Sequence, residues 1–350
     1  MNKINTTQTL SLAEATTLIE RVGANCTMLL RGEPGIGKST ILKTLADRMP
    51  EYHAVYLDAT LLDLGDLQMP LVNDGGVQFV PNKMFVSDKP LLLMVDELGK
   101  AMRPVQNALL PALNGEKRIG GYHFHKDSIV FATTNLTSDG VGDSIQAHAK
   151  NRMCDVIVGK PTADAWCAWG MDNGVDPSLL AWVGKNPQCM ESYLDDANGE
   201  NPYIFNPRKQ QAAFVSPRSL ERASNVLKQR AYLTPNALAV SLAGCVGSSA
   251  AVDMQAFVAV ADELPDWSMI VMNPTTARVP ESAIAQRILA LTAVSRIESN
   301  TADAWMDYLP RLQAEVQALF AMSVMASRKA AKVVTNQKFT SFARQNHWIF

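Results

Sequence analysis

Gly32-Glu33-Pro34-Gly35-Ile36-Gly37-Lys38-Ser39 is the stretch on which the fold turns. It has the form G-x-x-x-x-G-K-[ST], in which glycines let successive backbone N–H groups converge on phosphate oxygens. The flanks agree with that form. Residues 26–30 (CTMLL) are a short apolar run suited to a strand, and residues 40–49 have helical spacing. A helix that starts here points the positive end of its dipole at the phosphates, and Lys38 adds a mobile charge. Ser39 carries the hydroxyl that suits Mg²⁺, and Thr40 opens the helix. The whole stretch from Gly32 to Thr40 is therefore expected to bind a nucleotide.

A phosphate loop alone does not separate kinases, GTPases and ATPases. The second informative stretch is LLLMVDEL, residues 91–98. Its near-continuous apolar run marks a strand buried on both faces of a parallel sheet. Asp96, at its tip, can hold Mg²⁺ through the ion's water shell. Glu97, one residue on, can polarise an attacking water. An Asp-Glu pair is also common in solvated turns, but a wholly apolar strand before it, in a chain with a phosphate loop, favours the catalytic reading. The third stretch is IVFATTN, residues 129–135, where Asn135 ends another apolar strand and could bond both the terminal phosphate and the water. No N-K-x-D occurs, so nothing supports guanine selection.

The remaining pattern places these stretches on a scaffold. Residues 11–22 read as a helix with Ser11 and Glu14 as a capping box. Strands are expected at 52–58, 91–95, 128–132 and 155–158, with helices at 103–114 and 145–152 and a helix or turn at 61–71. Asn73-Asp74-Gly75-Gly76 predicts a hairpin insert, and Gly120-Gly121 a smaller one within 117–124. Strands alternating with helices up to about residue 160 imply a parallel α/β sheet with right-handed crossovers. Beyond Pro161 the pattern is helical: 162–172, from 177, 217–230, 235–246, 250–264, 281–297 and 301–332, with a loop at 198–210, a connector at 266–279 and a polar, aromatic tail at 335–350. Three domains are expected: 1–160, 161–265 and 266–350.

The chain has 350 residues, 47% hydrophobic and 19% charged, with a net charge of −2. This describes a soluble globular protein and gives no global case for nucleic acid. No apolar run is long enough to span a bilayer, and residues 1–8 are unlike a signal peptide. The five scattered cysteines, without a C-x-x-C pair, suggest reduced thiols and a cytoplasmic location. Trp166 and Trp169 suit core packing better than a cofactor, and His123 and His125 lack a third metal ligand. After Glu315 no acidic residue follows before the end of the chain, whereas Arg328, Lys329, Lys332, Lys338 and Arg344 do. That run suits a nucleic acid or an acidic partner protein, though a solvated helix face is the commoner explanation.

Taken in order, GEPGIGKS, VDEL, RPVQNALLPALNGEKRIGG, FATTN, HAKNRM and SPRSL resemble the AAA+ ATPases, in particular the MoxR-like branch related to the dynein motor. The resemblance covers roughly residues 10–265. It implies a P-loop AAA+ domain with a parallel five-stranded sheet flanked by helices, followed by an all-helical lid and a helical C-terminal extension. It implies ATP and Mg²⁺ as ligands, Asn135 as the first sensor and Arg152 as an arginine finger acting on the neighbouring subunit's ATP. Arg218 matches the second sensor, which contacts the γ-phosphate within its own subunit. Arg152 could also cap a helix, and Arg218 could be a surface residue. Lys150 competes for the finger, but a planar guanidinium suits the developing phosphate charge better than an ammonium.

The resemblance further implies a homo-oligomeric ring, expected to be hexameric, that remodels a protein client. A von Willebrand A-type partner would accompany it, and the two hairpins would approach the central pore. As residues alone, the hairpins read equally as solvent features. A nucleic-acid-directed motor and a nucleotide-gated scaffold are the competing functions.

Overall fold

The computed structural model describes residues 9–136, 145, 147–195, 200–261, 264–327 and 330–347. They form two compact units, Met1–Lys160 and Pro161–Phe350.

The first unit begins with α1 (Leu12–Val22), where Ser11 and Glu14 complete the expected capping box. Strand β1 (Met28–Arg31) leads through the loop to α2 (Thr40–Arg48), and β2 (His53–Asp58) follows. A single turn, α3 (Leu64–Leu67), precedes the hairpin β3 (Gln68–Asn73) and β4 (Gly76–Pro81). Then come β5 (Leu91–Asp96), α4 (Arg103–Leu113), the short pair β6 (Arg118–Ile119) and β7 (Tyr122–His123), β8 (Ile129–Thr134), α5 (Ala147–Lys150) and β9 (Cys154–Ile157).

Five strands make one parallel sheet in the order β2-β5-β8-β1-β9. Strand β8 lies between β5 and the loop's own strand β1. All six residues of β5 are buried, the five of the apolar run Leu91–Val95 and Asp96 at its tip. Each of its fully buried leucines contributes about 1.5–3 kcal/mol relative to exposure. One face packs Leu29, Leu93 and Val95 against α4 residues such as Val105 and Leu109. The other packs Met28, Leu30 and Met94 against Ile19, Ile41 and Leu45 of α1 and α2.

The helix or turn expected at 61–71 is only one turn long. Asp63 caps α3 through the N–H groups of Gly65 and Asp66, but Met69 precedes Pro70, whose ring disfavours a helical residue before it. The chain leaves the helix at Gln68 and extends. The β3–β4 hairpin is exposed along nearly its whole length, with Val72 at 76% and Phe79 at 51%.

The second unit is helical: α6 (Ala163–Asp172), α7 (Pro177–Lys185), α8 (Pro217–Lys228), α9 (Pro235–Val246), α10 (Ser248–Ala261), α11 (Trp267–Met272), α12 (Ala283–Arg296), α13 (Ala302–Tyr308), α14 (Ala314–Ala326), α15 (Ala331–Val334) and α16 (Gln337–Gln345). Helices on both sides of residue 265 share one apolar core, from Trp166 and Trp182 through Ile288 to Trp305, Phe320 and Phe339. Two segments expected to be irregular are helical. In the connector, α11 forms and stops before Pro274, and its Trp267 stacks on Trp305 at 5.5 Å. In the tail, Asn336 caps α16 by accepting from the N–H groups of Lys338 and Phe339, and Phe339 and Phe342 are buried on one face. Of the two tryptophans expected in the core, Trp166 is 3% exposed but Trp169 is 42% exposed.

Lys338 of the basic run is paired with Asp307 at 2.6 Å, and Arg328 and Lys329 lie outside the described residues. Among the described residues the five cysteines form no disulfide, and burial pushes the Cys167 thiol up to about 12. Among the described residues, no helix is long and apolar enough to cross a membrane.

Candidate functional site

Strand β1 ends at Arg31, and the chain turns at Gly32. A Cβ built on Gly32 would stand 2.6 Å from the Val158 carbonyl oxygen and from Ile36 Cδ1, so the turn has room only for glycine. Gly35 and Gly37 adopt φ of +77° and +104°, which residues with a side chain rarely take. Gly32→Ala is therefore expected to destabilise the first unit by about 1–3 kcal/mol through overpacking against fixed backbone. A thermal melt would register this as a lowered midpoint, and an unchanged midpoint would refute the tight-turn assignment.

The loop curls around its lysine. Lys38 is 7% exposed, and its Nζ donates to the carbonyl oxygens of Gly32 (2.7 Å) and Glu33 (3.0 Å) and to Oδ1 of Asn135 (3.1 Å). Three donors thus meet three acceptors. Pro34, Ile36 and Gly37 complete the turn. Ser39 occupies the N-cap position of α2 but makes no side-chain cap there; its Oγ donates to Asp96 Oδ2 at 3.0 Å instead. The first N–H groups of α2, starting at Thr40, consequently have no side-chain cap and no acidic residue in their turn. Such a helix end favours an anion.

Asp96 ends β5 at 7% exposure. Its Oδ1 accepts from the Thr133 hydroxyl, and its Oδ2 accepts from Ser39 and from the Tyr56 hydroxyl at 2.9 Å. Glu97 follows with φ +55°, a left-handed conformation that is uncommon outside glycine. Its N–H donates to Thr133 Oγ1 at 3.3 Å, and its carbonyl accepts from Lys100 N at 2.9 Å as a short 3₁₀ turn begins. A non-glycine residue held this way costs of order 1–3 kcal/mol, a strain found most often at functional sites. Here it turns the Glu97 carboxylate toward Asn135, whose Nδ2 donates to Oε2 at 3.2 Å and Oε1 at 3.3 Å. Lys100 pairs with the same carboxylate at 2.6 Å.

Lys38, Ser39, Asp96, Glu97 and Asn135 therefore meet at the C-terminal edge of the sheet. Arg152 does not join them. It precedes β9, and β9 pairs with β1 in the register Met28↔Cys154, so Arg152 stands at the opposite, N-terminal edge. Four strand residues separate the two levels, about 13 Å at 3.3 Å per residue. Arg152 is exposed and lines a cavity of about 550 Å³ with Thr27, Asn114, Glu116, Lys117 and Ser128. The Glu116 carboxyl there is held below its ordinary range by a hydrogen bond from Asn114 and by Arg118, with Arg152 adding to the effect. Arg218 is an exposed residue in the first turn of α8 in the second unit. Thr133, Tyr56 and Lys100, which touch the two carboxylates, were not singled out by sequence reasoning.

The donor set suits Mg²⁺. Ser39 Oγ and the Asp96 carboxylate are hard oxygens, and Mg²⁺ is usually held by one or two carboxylates together with phosphates and waters. Among the described residues, no group of three or more His, Cys, Asp or Glu could hold a metal ion by itself. An ion here would rely on phosphate oxygens for the rest of its shell.

Residues 28–159 match the family model of the ATPase family associated with various cellular activities (AAA). Among curated proteins, no sequence match is found. Among solved structures, the chain is similar to NtrX from Brucella abortus in complex with ADP, at 13% identity and a TM-score of 0.41, over 96% of this chain and 67% of that one. It is similar to a full-length MCM homolog from Methanopyrus kandleri at 15% identity and a TM-score of 0.32, over 71% and 54% of the two chains. It is also similar to a mutant RuvB from Thermogota maritima at 15% identity and a TM-score of 0.37, over 86% and 85%. With a parallel five-stranded sheet flanked by helices and a phosphate loop between β1 and α2, the first unit has the AAA+ P-loop fold.

Proposed function

We propose that the chain is an ATP-hydrolysing remodelling ATPase of the MoxR-like branch, assembled as a ring, with six subunits the expected number. It would act on a protein client together with a von Willebrand A-type partner. The observation that carries the hydrolytic part is the bridge made by Asn135. One side chain touches both the loop lysine and the Glu97 carboxylate, joining phosphate binding to a base.

In this reading the Lys38 ammonium passes from its protein acceptors to the phosphates, while the N–H groups of the loop and of α2 cradle them. Mg²⁺, held by Ser39 and Asp96, would neutralise phosphate charge. Glu97 takes the proton of the attacking water and Asn135 orients it. Arg152 would complete the site of the adjacent subunit, and Arg218, in the helical region at 161–265, is assigned the role of second sensor. Residues 266–350 extend the lid. A nucleic-acid track finds less support: the β3–β4 hairpin carries no Lys or Arg, and Lys338 is already paired with Asp307.

Glu97→Gln tests the reading. It keeps the size and the amide contacts but removes the base, so ATP should still bind while hydrolysis falls about 10²–10⁴-fold. Affinity capture with this variant in ATP should retain a protein client. Hydrolysis at the wild-type rate would remove Glu97 from the mechanism, and unaltered function without hydrolysis would favour a nucleotide-gated scaffold.

A further inference from the structure

Tyr56 is 47% exposed on β2, at the edge of the sheet, yet its hydroxyl turns inward to Asp96 Oδ2 at 2.9 Å. The strand register explains the reach. Tyr56 lies opposite Met94 and Asp58 opposite Asp96, so the phenol spans two residues, about 6.6 Å of strand, along a shared face. A tyrosine on an exposed edge needs only its ring for packing, and its hydroxyl would ordinarily be left to water. Here it meets a carboxylate that is 7% exposed.

Counting lone pairs shows what the contact does. An ionised carboxylate offers about four acceptor sites. Thr133 occupies one on Oδ1, and Ser39 and Tyr56 occupy two on Oδ2. If Ser39 turns its oxygen to a cation, Thr133 and Tyr56 still hold one site on each oxygen. One site on each oxygen is then open to the cation's water ligands. The carboxylate is thereby fixed in rotation without being blocked.

We propose that Tyr56 is a positioning residue that holds Asp96 for a divalent cation bound with the nucleotide. The proposal rests on the reading of Asp96 as the cation's anchor.

The test uses Mn²⁺ as the probe, its binding followed by electron paramagnetic resonance on the full chain saturated with ADP, for wild type, Tyr56→Phe and Asp96→Asn. Losing a hydrogen bond to a charged acceptor should weaken Mn²⁺ about tenfold in Tyr56→Phe. ADP affinity in EDTA should not move. Asp96→Asn should lose more Mn²⁺ affinity than Tyr56→Phe. If Asp96→Asn binds Mn²⁺ as the wild type does, the anchor reading falls and takes the proposal with it. If Asp96→Asn fails but Tyr56→Phe matches wild type within about twofold, the role of Tyr56 alone is overturned. A parallel loss of metal-free ADP affinity in Tyr56→Phe would also overturn it, since it would show a merely structural contact.

Discussion

Lys38→Ala is expected to abolish measurable ATP binding. The ammonium is the one positive side chain within the curled loop, and its three protons are held by Gly32 O, Glu33 O and Asn135 Oδ1. In the proposed reading these hydrogen bonds pass to a bound polyphosphate, whose charged oxygens accept more strongly than a neutral carbonyl. Removing the ammonium deletes that interaction and leaves buried acceptors without their donor, each at about 1–3 kcal/mol. Affinity should therefore fall by at least about a hundredfold, as one charged contact of about 3 kcal/mol requires. Part of the same penalty should appear as a lowered melting midpoint. Calorimetric titration with ATP checks the first effect, and Lys38→Met, which keeps the length of the stem, separates it from the second. ATP affinity within about threefold of wild type in both variants would overturn the site assignment.

The site was legible in the sequence wherever backbone geometry dictates residue type. Gly32 admits no Cβ, Gly35 and Gly37 need positive φ, and a strand buried on both faces shows a continuous apolar run; all three leave a mark in the letters. Asp96 and Asn135 could be singled out because each follows such an apolar run, Asp96 as the last residue of β5 and Asn135 just past β8. Contacts set by strand order left no mark. Nothing in the letters places β8 between β1 and β5, and that placement is what brings Thr133 against both Asp96 and the Glu97 N–H.

Tyr56 was hidden for a related reason. An aromatic on an edge strand is ordinary, and its partner lies 40 residues further along the chain. Glu97 was picked for its carboxylate, but its left-handed backbone, which aims that carboxylate, cannot be read from residue type. The tail helix α16 was missed because its signal is short. One Asn cap and two phenylalanines three apart become a helix only when a core is available to bury them. Local pattern reports what a residue demands of its own backbone, and tertiary neighbours decide the rest.

Arg152→Ala is expected to lower hydrolysis about 10³–10⁵-fold, the effect of losing an arginine finger, while ATP affinity stays near wild type. The sheet supplies the reason for both halves. Lys38, Asp96, Glu97 and Asn135 gather beyond the C-terminal ends of the strands, whereas Arg152 sits before the N-terminal end of β9. An arginine about 13 Å of strand away cannot reach its own subunit's phosphates, so any catalytic contact must be made with another copy. A head-to-tail ring meets that demand, because a heterologous interface sets one edge of each subunit against the opposite edge of the next. Mixing variants decides the matter. Arg152→Ala and Glu97→Gln proteins should each be inactive alone, for different reasons. Combined in equal amounts, random assembly places an intact Glu97 beside an intact Arg152 at roughly a quarter of the interfaces, so a comparable share of the wild-type rate should return. An inactive mixture, under conditions where the wild-type subunits exchange, would show that Arg152 does not act between subunits.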